Sequence, residues 1–310
     1  MDNLFLTEEQ GCAELGILIH SLRQKKGINR ADIYMGLCDK RVYERFENGM
    51  EISDVLLLEF ILSRAHIQKN YLDIAISDEE FDLIEQRKSM ERLIDSGKTK
   101  EAAEILADYR KHVPREGIHL QYVWLKEMQI EQKEGGEVTP ERYLEALELT
   151  MPLEQCREKR ENGFFLTETE VILYIYYLRA AGKLDRKEIK SLMHCLKESF
   201  LDEHICLKVY FELGLDYVEY CFKEQDFEEG IEVCDGMMRQ LAQANREYYA
   251  PNILFCWSKL LEKTSGPKLS AAAKWKFQEA YYVALAYGEE MLAEEIQRYY
   301  EEVLKWHSTD

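Results

Sequence analysis

Apolar residues in the first seventy positions recur every three or four residues, which is the spacing of one face of an α-helix. Leu15, Ile19 and Leu22 are the clearest example. Turn and capping residues divide the segment into four predicted helices. The first ends at Gly27, the second spans about 30–35, the third spans 40–47 and the fourth runs through about residue 65. In the third helix, Val42 and Phe46 are predicted to face inwards.

From about residue 82 onward a larger unit recurs, made of an amphipathic helix, a short polar turn and a second helix. In the first unit, Gly97, Ala102, Leu106 and Pro114 fall on the turn glycine, small residue, large apolar residue and terminal proline of a tetratricopeptide repeat. In the second unit, Pro152 is predicted to close the second helix. Further turns are predicted at 135–136, 182–183, 224–226 and 265–267.

These units predict about five helix pairs and a C-terminal capping helix over about 289–306. The composition agrees, because 16 Gly and 5 Pro in 310 residues are too few for the turns of a β sandwich or barrel. We therefore predict an all-α chain whose larger part is a tetratricopeptide-like, right-handed α-solenoid.

The cysteines and the first residues of the sequence indicate the cellular compartment. None of the eight cysteines forms a CxxC pair, and most lie among apolar residues, so reduced and buried thiols are expected. The first residues do not resemble a signal peptide, and no apolar run reaches the roughly 18 residues of a membrane span. A cytoplasmic protein without membrane contact is expected.

Charge changes the picture in one segment. The formal net charge of −19 disfavours nucleic-acid binding through bulk electrostatics. Residues 20–45, however, hold seven basic and three acidic side chains. This basic segment coincides with the second and third predicted helices, an arrangement typical of a helix-turn-helix, whose second helix enters the major groove. A surface helix of mixed charge is the alternative.

The sequence offers little for catalysis. It contains no GxSxG, HExxH, P-loop or GxGxxG motif. His194 and Cys195 are adjacent, but neighbours on a helix point about 100° apart and do not face each other. His112 and His119 have no metal-ligating company at helical spacing. We expect no enzyme, no cofactor and no metal site.

Two stretches resemble a known family. The segment Leu15-Gly16-Ile17-Leu18-Ile19-His20-Ser21-Leu22-Arg23-Gln24-Lys25-Lys26-Gly27-Ile28 is similar to the opening of the Xre helix-turn-helix, and Arg45-Phe46-Glu47-Asn48-Gly49 to the end of its recognition helix. With the repeat-like pairs, the whole chain resembles the Rgg/PlcR branch of peptide-responsive regulators of Gram-positive bacteria (the RRNPP group). The resemblance implies a λ-repressor-like DNA-binding domain over 1–72 and a repeat domain over 73–310.

The resemblance also implies a function, namely transcription regulation in quorum sensing. A homodimer would bind a pseudo-palindromic operator in double-stranded DNA, and the repeat domain would bind a short signalling peptide that modulates DNA binding. The candidate DNA contacts are the outer face of the third helix and basic residues before it: Lys40, Arg41, Tyr43, Glu44, Arg45, Arg23, Lys26 and Arg30.

The repeat array supplies the candidate peptide site, because stacked helix pairs form a concave surface. Aromatic side chains there would hold peptide side chains, and Arg, Asn and Gln would hold peptide backbone or carboxylate groups. The predicted registers place these residues in the groove: Arg87, Tyr122, Gln129, Tyr176, Arg179, Glu219, Phe222 and Asn252.

Two alternatives remain open at this point. Tyr176 and Phe222 are equally compatible with the core between repeats. The chain as a whole is also compatible with a protein-interaction scaffold in which the helix-turn-helix is non-functional or a docking face.

Overall fold

The computed structural model describes residues 8–50, 52, 54–65, 67, 77–161, 166–199, 204–244, 249–266 and 268–307. Within these residues it contains sixteen α-helices and no strand. The helices are α1 (Glu8–Lys26), α2 (Arg30–Tyr34), α3 (Lys40–Glu47), α4 (Val55–Arg64), α5 (Asp78–Asp95), α6 (Thr99–His112), α7 (Gly117–Lys133), α8 (Pro140–Glu148), α9 (Leu153–Glu161), α10 (Glu168–Ala180), α11 (Arg186–Ser199), α12 (His204–Lys223), α13 (Phe227–Ala244), α14 (Ala250–Thr264), α15 (Ala271–Ala286) and α16 (Glu290–His307).

The predicted helices and turns are largely confirmed. The four N-terminal helices correspond to α1–α4, the five predicted pairs begin with α5, α7, α10, α12 and α14, and α16 is the predicted final helix. The domain boundary predicted at residues 72–73 lies outside the described residues and stays a prediction. By compactness the chain divides into two units, Met1–Leu184 and Asp185–Asp310.

One helix was not predicted from the sequence. Pro152 was interpreted as the end of a helix, but it immediately precedes α9, and the Cys156 amide donates to the Pro152 carbonyl. Proline is as compatible with the start of a helix as with the residue beyond its end, because the first helical amides need no partner. Helix α9 therefore lies between the second and third predicted pairs.

The first unit has a core that runs without interruption from the N-terminal helices into the repeats. One cluster of buried side chains joins Ile19 of α1, Phe46 of α3, Ile61 of α4, Met90 of α5 and Val123 of α7. Helix α1 packs on α3, and α2 on α4. The N-terminal helices are thus buried against the first repeat helices and form no separate core.

In the second unit each helix from α11 to α16 packs on the next one along the chain. Phe211, Tyr217, Leu260 and Phe277 are buried in this unit. The successive packing is the arrangement expected of stacked helix pairs.

Candidate nucleic-acid interface

Helix α3 has one buried face and one exposed face. Tyr43, Phe46 and Glu47 are buried, at the spacing of one helical stripe. Arg41 and Arg45 lie on the opposite side and are exposed. Within the described residues, neither guanidinium group makes an ion pair. The Arg45 Nε–H donates to Met50 Sδ at 3.1 Å. Two guanidinium groups are therefore presented to solvent from one helix face.

The close approach of α1 to α3 fixes this orientation. A Cβ atom on Gly16 of α1 would lie 1.9 Å from the carbonyl oxygen of Phe46. Only glycine therefore allows the two backbones to touch at this point. This contact is the physical reason for the glycine in the segment that resembles the Xre motif.

A buried carboxylate holds the end of α3. The Glu47 side chain is fully buried and accepts hydrogen bonds from Arg23 Nε at 2.6 Å, Arg30 Nε at 2.6 Å and His20 Nδ1 at 3.2 Å. Burial by itself would raise the pKa of Glu47, but the hydrogen bonds from Arg23, His20 and Arg30 outweigh it and lower the pKa to about 2. The ionised carboxylate thus joins α1, α2 and α3, and these four residues are called the Glu47 cluster below.

The predicted DNA contacts divide into two groups. Lys26, Lys40, Arg41 and Arg45 are exposed. Arg23 and Arg30 belong to the Glu47 cluster, where they position α3. Glu44, half-buried, pairs with Arg30 at 3.6 Å and Lys40 at 3.7 Å.

The predicted outer position of Tyr43 is wrong, as is the predicted inner position of Val42. Tyr43 has no exposed surface and packs against Tyr34 with 5.7 Å between ring centroids, whereas Val42 is 40 % exposed. The inward stripe includes the charged Glu47, which the sequence analysis placed on neither face. Once Glu47 points inwards, Tyr43 must do so too, and Val42 turns away.

Arg64 makes structural contacts behind the helix-turn-helix that the sequence did not predict. It is fully buried, and its Nη1 donates to the carbonyl oxygens of Ile33 at 3.0 Å and Met35 at 2.6 Å, at the end of α2. Its Nη2 and Nε donate to the Glu170 carboxylate at 2.5 and 3.3 Å. Glu170, at the start of α10, lies 106 residues away in the sequence, so no local pattern indicated the pair.

The turn of the helix-turn-helix lies directly on the α8–α9 connection. Gly36 has a φ of +80°, and a Cβ atom on it would lie 1.8 Å from the carbonyl oxygen of Thr150. Thr150 Oγ1 in turn donates to Glu170 at 2.7 Å, and Gln121 Nε2 donates to Thr150 Oγ1 at 2.7 Å. On α9, Lys159 Nζ donates to the Asp32 carbonyl at 3.0 Å. The helix-turn-helix segment is therefore fixed to the repeats by polar contacts, most of them buried.

A second junction joins α4 to α7. Asp54 caps α4 through the Leu57 amide at 3.0 Å, and its other oxygen bonds to His119 Nε2 at 2.9 Å. Burial would raise the pKa of Asp54, but its contacts with His119 lower it. The remaining ring nitrogen of His119 bonds to the Tyr109 hydroxyl at 3.1 Å. Both ring nitrogens of His119 are therefore used in hydrogen bonds within the fold, and we assign this residue a structural role.

The predicted peptide contacts of the first unit are only partly accessible. Arg87 and Tyr122 are buried, and Arg87 approaches Glu59 of α4 at 3.5 Å, so neither offers a surface to a ligand here. Gln129 is half-buried and Arg179 is exposed. The ring centroids of Tyr176 and Tyr143 are 5.7 Å apart. The Arg179 guanidinium carbon lies 5.8 Å from the ring centroid of Tyr176.

In the second unit the candidates lie nearer the surface. Asn252 is exposed, and Glu219 is 65 % exposed and pairs with Lys223 at 2.7 Å. Phe222 is half-buried, 5.9 Å from the ring of Phe227, with Lys263 Nζ 5.9 Å from its ring centroid. Phe222 therefore takes part in the packing of the unit and is also partly exposed to solvent.

The described part of the chain holds no cluster of three or more His, Cys, Asp or Glu side chains able to bind a metal ion. None of its helices is long and apolar enough to cross a membrane.

Comparisons with known proteins show the fold. No family model and no curated protein matches the sequence. Among solved structures, the apo form of the competence regulator ComR from Streptococcus vestibularis matches with a TM-score of 0.51 and 14 % identity, over 94 % of this chain and 98 % of that one.

Two further structures match less well. PlcR from Bacillus thuringiensis, in complex with the peptide PapR7 and DNA, has a TM-score of 0.47 and 14 % identity, over 94 % of this chain and 99 % of that one. ComR from S. thermophilus, in complex with DNA and its signalling peptide ComS, has a TM-score of 0.48 and 14 % identity, over 93 % and 99 %. The match to apo ComR confirms the all-α fold predicted here, a helix-turn-helix domain followed by tetratricopeptide-like helices.

Proposed function

We propose that the chain is a sequence-specific DNA-binding transcription regulator that acts in the cytoplasm as a homodimer. The observation that carries this proposal is α3, which presents Arg41 and Arg45 to solvent while the Glu47 cluster holds it from the other side. A helix anchored in this way can enter the major groove without losing its orientation. The fold that the chain shares with a competence regulator supports the same conclusion.

The charge distribution fits specific rather than general DNA binding. A chain of net charge −19 is repelled by the phosphate backbone except at its basic segment. Binding must therefore come from the contacts of α3 and its neighbours, and from the joint binding of two copies to one operator. Arg41 and Arg45 have the geometry to contact guanine edges or phosphates.

The second part of the proposal is that the repeat helices bind a short signalling peptide that modulates DNA binding. The support is the surface that stacked helix pairs provide within each unit. Gln129 and Arg179 are at least partly accessible in the first unit, and Asn252 and Phe222 in the second. Such a peptide alters DNA binding only if its affinity differs between the DNA-binding and the inactive conformations.

The proposal is tested by selection from a random duplex DNA library with the purified full-length protein. The selection is done with and without culture supernatant of the organism that encodes it. We expect an inverted repeat to be enriched, because each protomer of a dimer reads one half-site. Enrichment only with supernatant would support an obligatory peptide. No enrichment in either condition, with the protein folded, would contradict the proposal and favour an interaction scaffold.

Two double variants make the test specific to α3. The variant Arg41→Ala with Arg45→Ala should lose binding to the selected operator. The control Lys88→Ala with Lys111→Ala removes the same charge from α5 and α6, where these side chains are 62 % and 69 % exposed. Equal loss in both variants would mean that bulk charge, and not α3, is responsible.

A further inference from the structure

Val42 is an apolar side chain on the face of α3 assigned to DNA. It is 40 % exposed, although valine favours burial. The buried stripe of α3 leaves Arg41 and Arg45 at the middle of the opposite face. Successive residues differ by about 100° around a helix, so Val42 flanks this pair on one side and Glu44 flanks it on the other.

The two flanks differ in chemistry. On one side, Lys40 and Glu44 pair with each other at 3.7 Å, and Glu44 also pairs with Arg30. Val42 has no donor or acceptor, and its branched side chain adopts essentially one rotamer in a helix. Its two methyl groups are therefore held in fixed positions at the edge of the arginine pair.

Only one base edge in the major groove matches such a group. Guanine, cytosine and adenine present hydrogen-bond donors and acceptors there, and thymine alone adds a methyl group. We infer that Val42 contacts the 5-methyl group of a thymine in each operator half-site and is thereby a specificity-determining residue. This inference rests on the proposed function and adds a base-reading role to a residue that the sequence pattern had assigned to the core.

The experiment uses the operator obtained in the selection above. Each thymine is replaced in turn by deoxyuridine, which lacks the 5-methyl group and keeps the same hydrogen-bonding edge. For the wild-type protein we expect one position per half-site at which the replacement weakens binding about fourfold, since a methyl group contributes about 0.8 kcal/mol when buried.

The same series is measured with Val42→Ala. This variant should show no deoxyuridine effect at that position and an unchanged effect at any other. Leu304→Ala is the matched control, because Leu304 is 38 % exposed and belongs to α16 of the second unit. It should reproduce the wild-type series.

The outcomes separate this inference from the proposed function. If the wild type selects an operator and Val42→Ala gives the wild-type deoxyuridine series, the role of Val42 is refuted and DNA binding stands. A wild-type series without any sensitive thymine refutes it equally. If no operator is selected under any condition, both the inference and the proposed function fail.

Discussion

At the scale of single residues, the buried Glu47 helps to orient the exposed face of α3 without belonging to it. Its carboxylate is fully buried among Arg23, Arg30 and His20. Removing one partner of a buried ion pair leaves the others charged and without compensation, which costs more than the pair itself contributes. The orientation of Arg41 and Arg45 therefore depends on a residue that they do not contact.

We expect Glu47→Gln to lower the free energy of unfolding by about 3–5 kcal/mol, because two guanidinium groups lose their counter-ion. Urea denaturation followed by circular dichroism measures this change. Glu44→Gln is the control, since Glu44 is partly exposed and its ion pairs are 3.6 and 3.7 Å long. It should stay within about 0.5 kcal/mol of the wild type. Similar losses in both variants would argue against a special role of the Glu47 cluster.

The same cluster predicts a pH dependence. The pKa of Glu47 is lowered from about 4.5 to about 2 on folding. The ionised carboxyl group therefore stabilises the folded state above its unfolded pKa, and this contribution is lost as the pH falls towards 2. The difference in unfolding free energy between wild type and Glu47→Gln should be constant above about pH 5 and shrink steadily below it. A difference that stays constant down to pH 2 would contradict the low pKa.

The residue scale also marks the limit of sequence reasoning. The spacing of Val42 and Phe46 predicts that these two apolar side chains face inwards, and Tyr43 then falls among the predicted outer residues. The correct stripe depends on hydrogen bonds from Arg23 and His20 of α1 and Arg30 of α2, which surround the Glu47 carboxylate only in the folded chain. The residues of α3 alone therefore cannot indicate that Glu47 has partners on α1 and α2.

At the scale of elements, Gly36 is the contact between the helix-turn-helix turn and the repeats. We expect Gly36→Ala to destabilise the protein by more than 2 kcal/mol, since the roughly 1–2 kcal/mol of left-handed backbone strain is joined by a clash with the Thr150 carbonyl.

Gly27→Ala is the matched control for Gly36→Ala. Gly27 has a φ of +68°, but a Cβ atom there would meet nothing within 4 Å. Thermal unfolding should therefore show the strain alone, about 1–2 kcal/mol. Equal shifts for both variants would show that the turn does not press on the α8–α9 connection.

Elements were predicted well where a periodic pattern defines them. Five helix pairs and the final helix follow from the spacing of apolar residues and from polar turns, both of which are local. Helix α9 was missed because Pro152 fits two roles, and the Arg64–Glu170 pair because its members are far apart in the sequence. Of the candidate peptide contacts, Arg87 and Tyr122 are buried: Arg87 approaches Glu59 of α4, and Tyr122 packs against Tyr109 of α6, and no repeat pattern encodes either contact.

At the scale of the whole molecule, the proposed DNA binding of an acidic chain has to come from few positive groups. Each phosphate contact contributes about 0.9 to the slope of log affinity against log salt concentration. We expect Arg41→Ala to weaken DNA binding, and the change in this slope distinguishes a phosphate contact from a base contact. A slope reduced by about 1 means that Arg41 contacts a phosphate, whereas an unchanged slope with relaxed preference at one base pair means that it reads a base. Titrations at four salt concentrations distinguish these, and unchanged affinity and slope would remove Arg41 from the interface.

The buried contacts of Arg64 restrict how such a chain can be taken apart or recombined. Cutting it after α4 would leave a guanidinium without Glu170, a turn without the Thr150 carbonyl behind it and an apolar face without α5–α7. A hybrid regulator made by joining these first four helices to the repeats of another protein would inherit the same gaps. The smallest part of this molecule that keeps these contacts therefore extends at least to α10. We expect the proposed DNA specificity to be exchanged more easily through the exposed side chains of α3 than through whole segments.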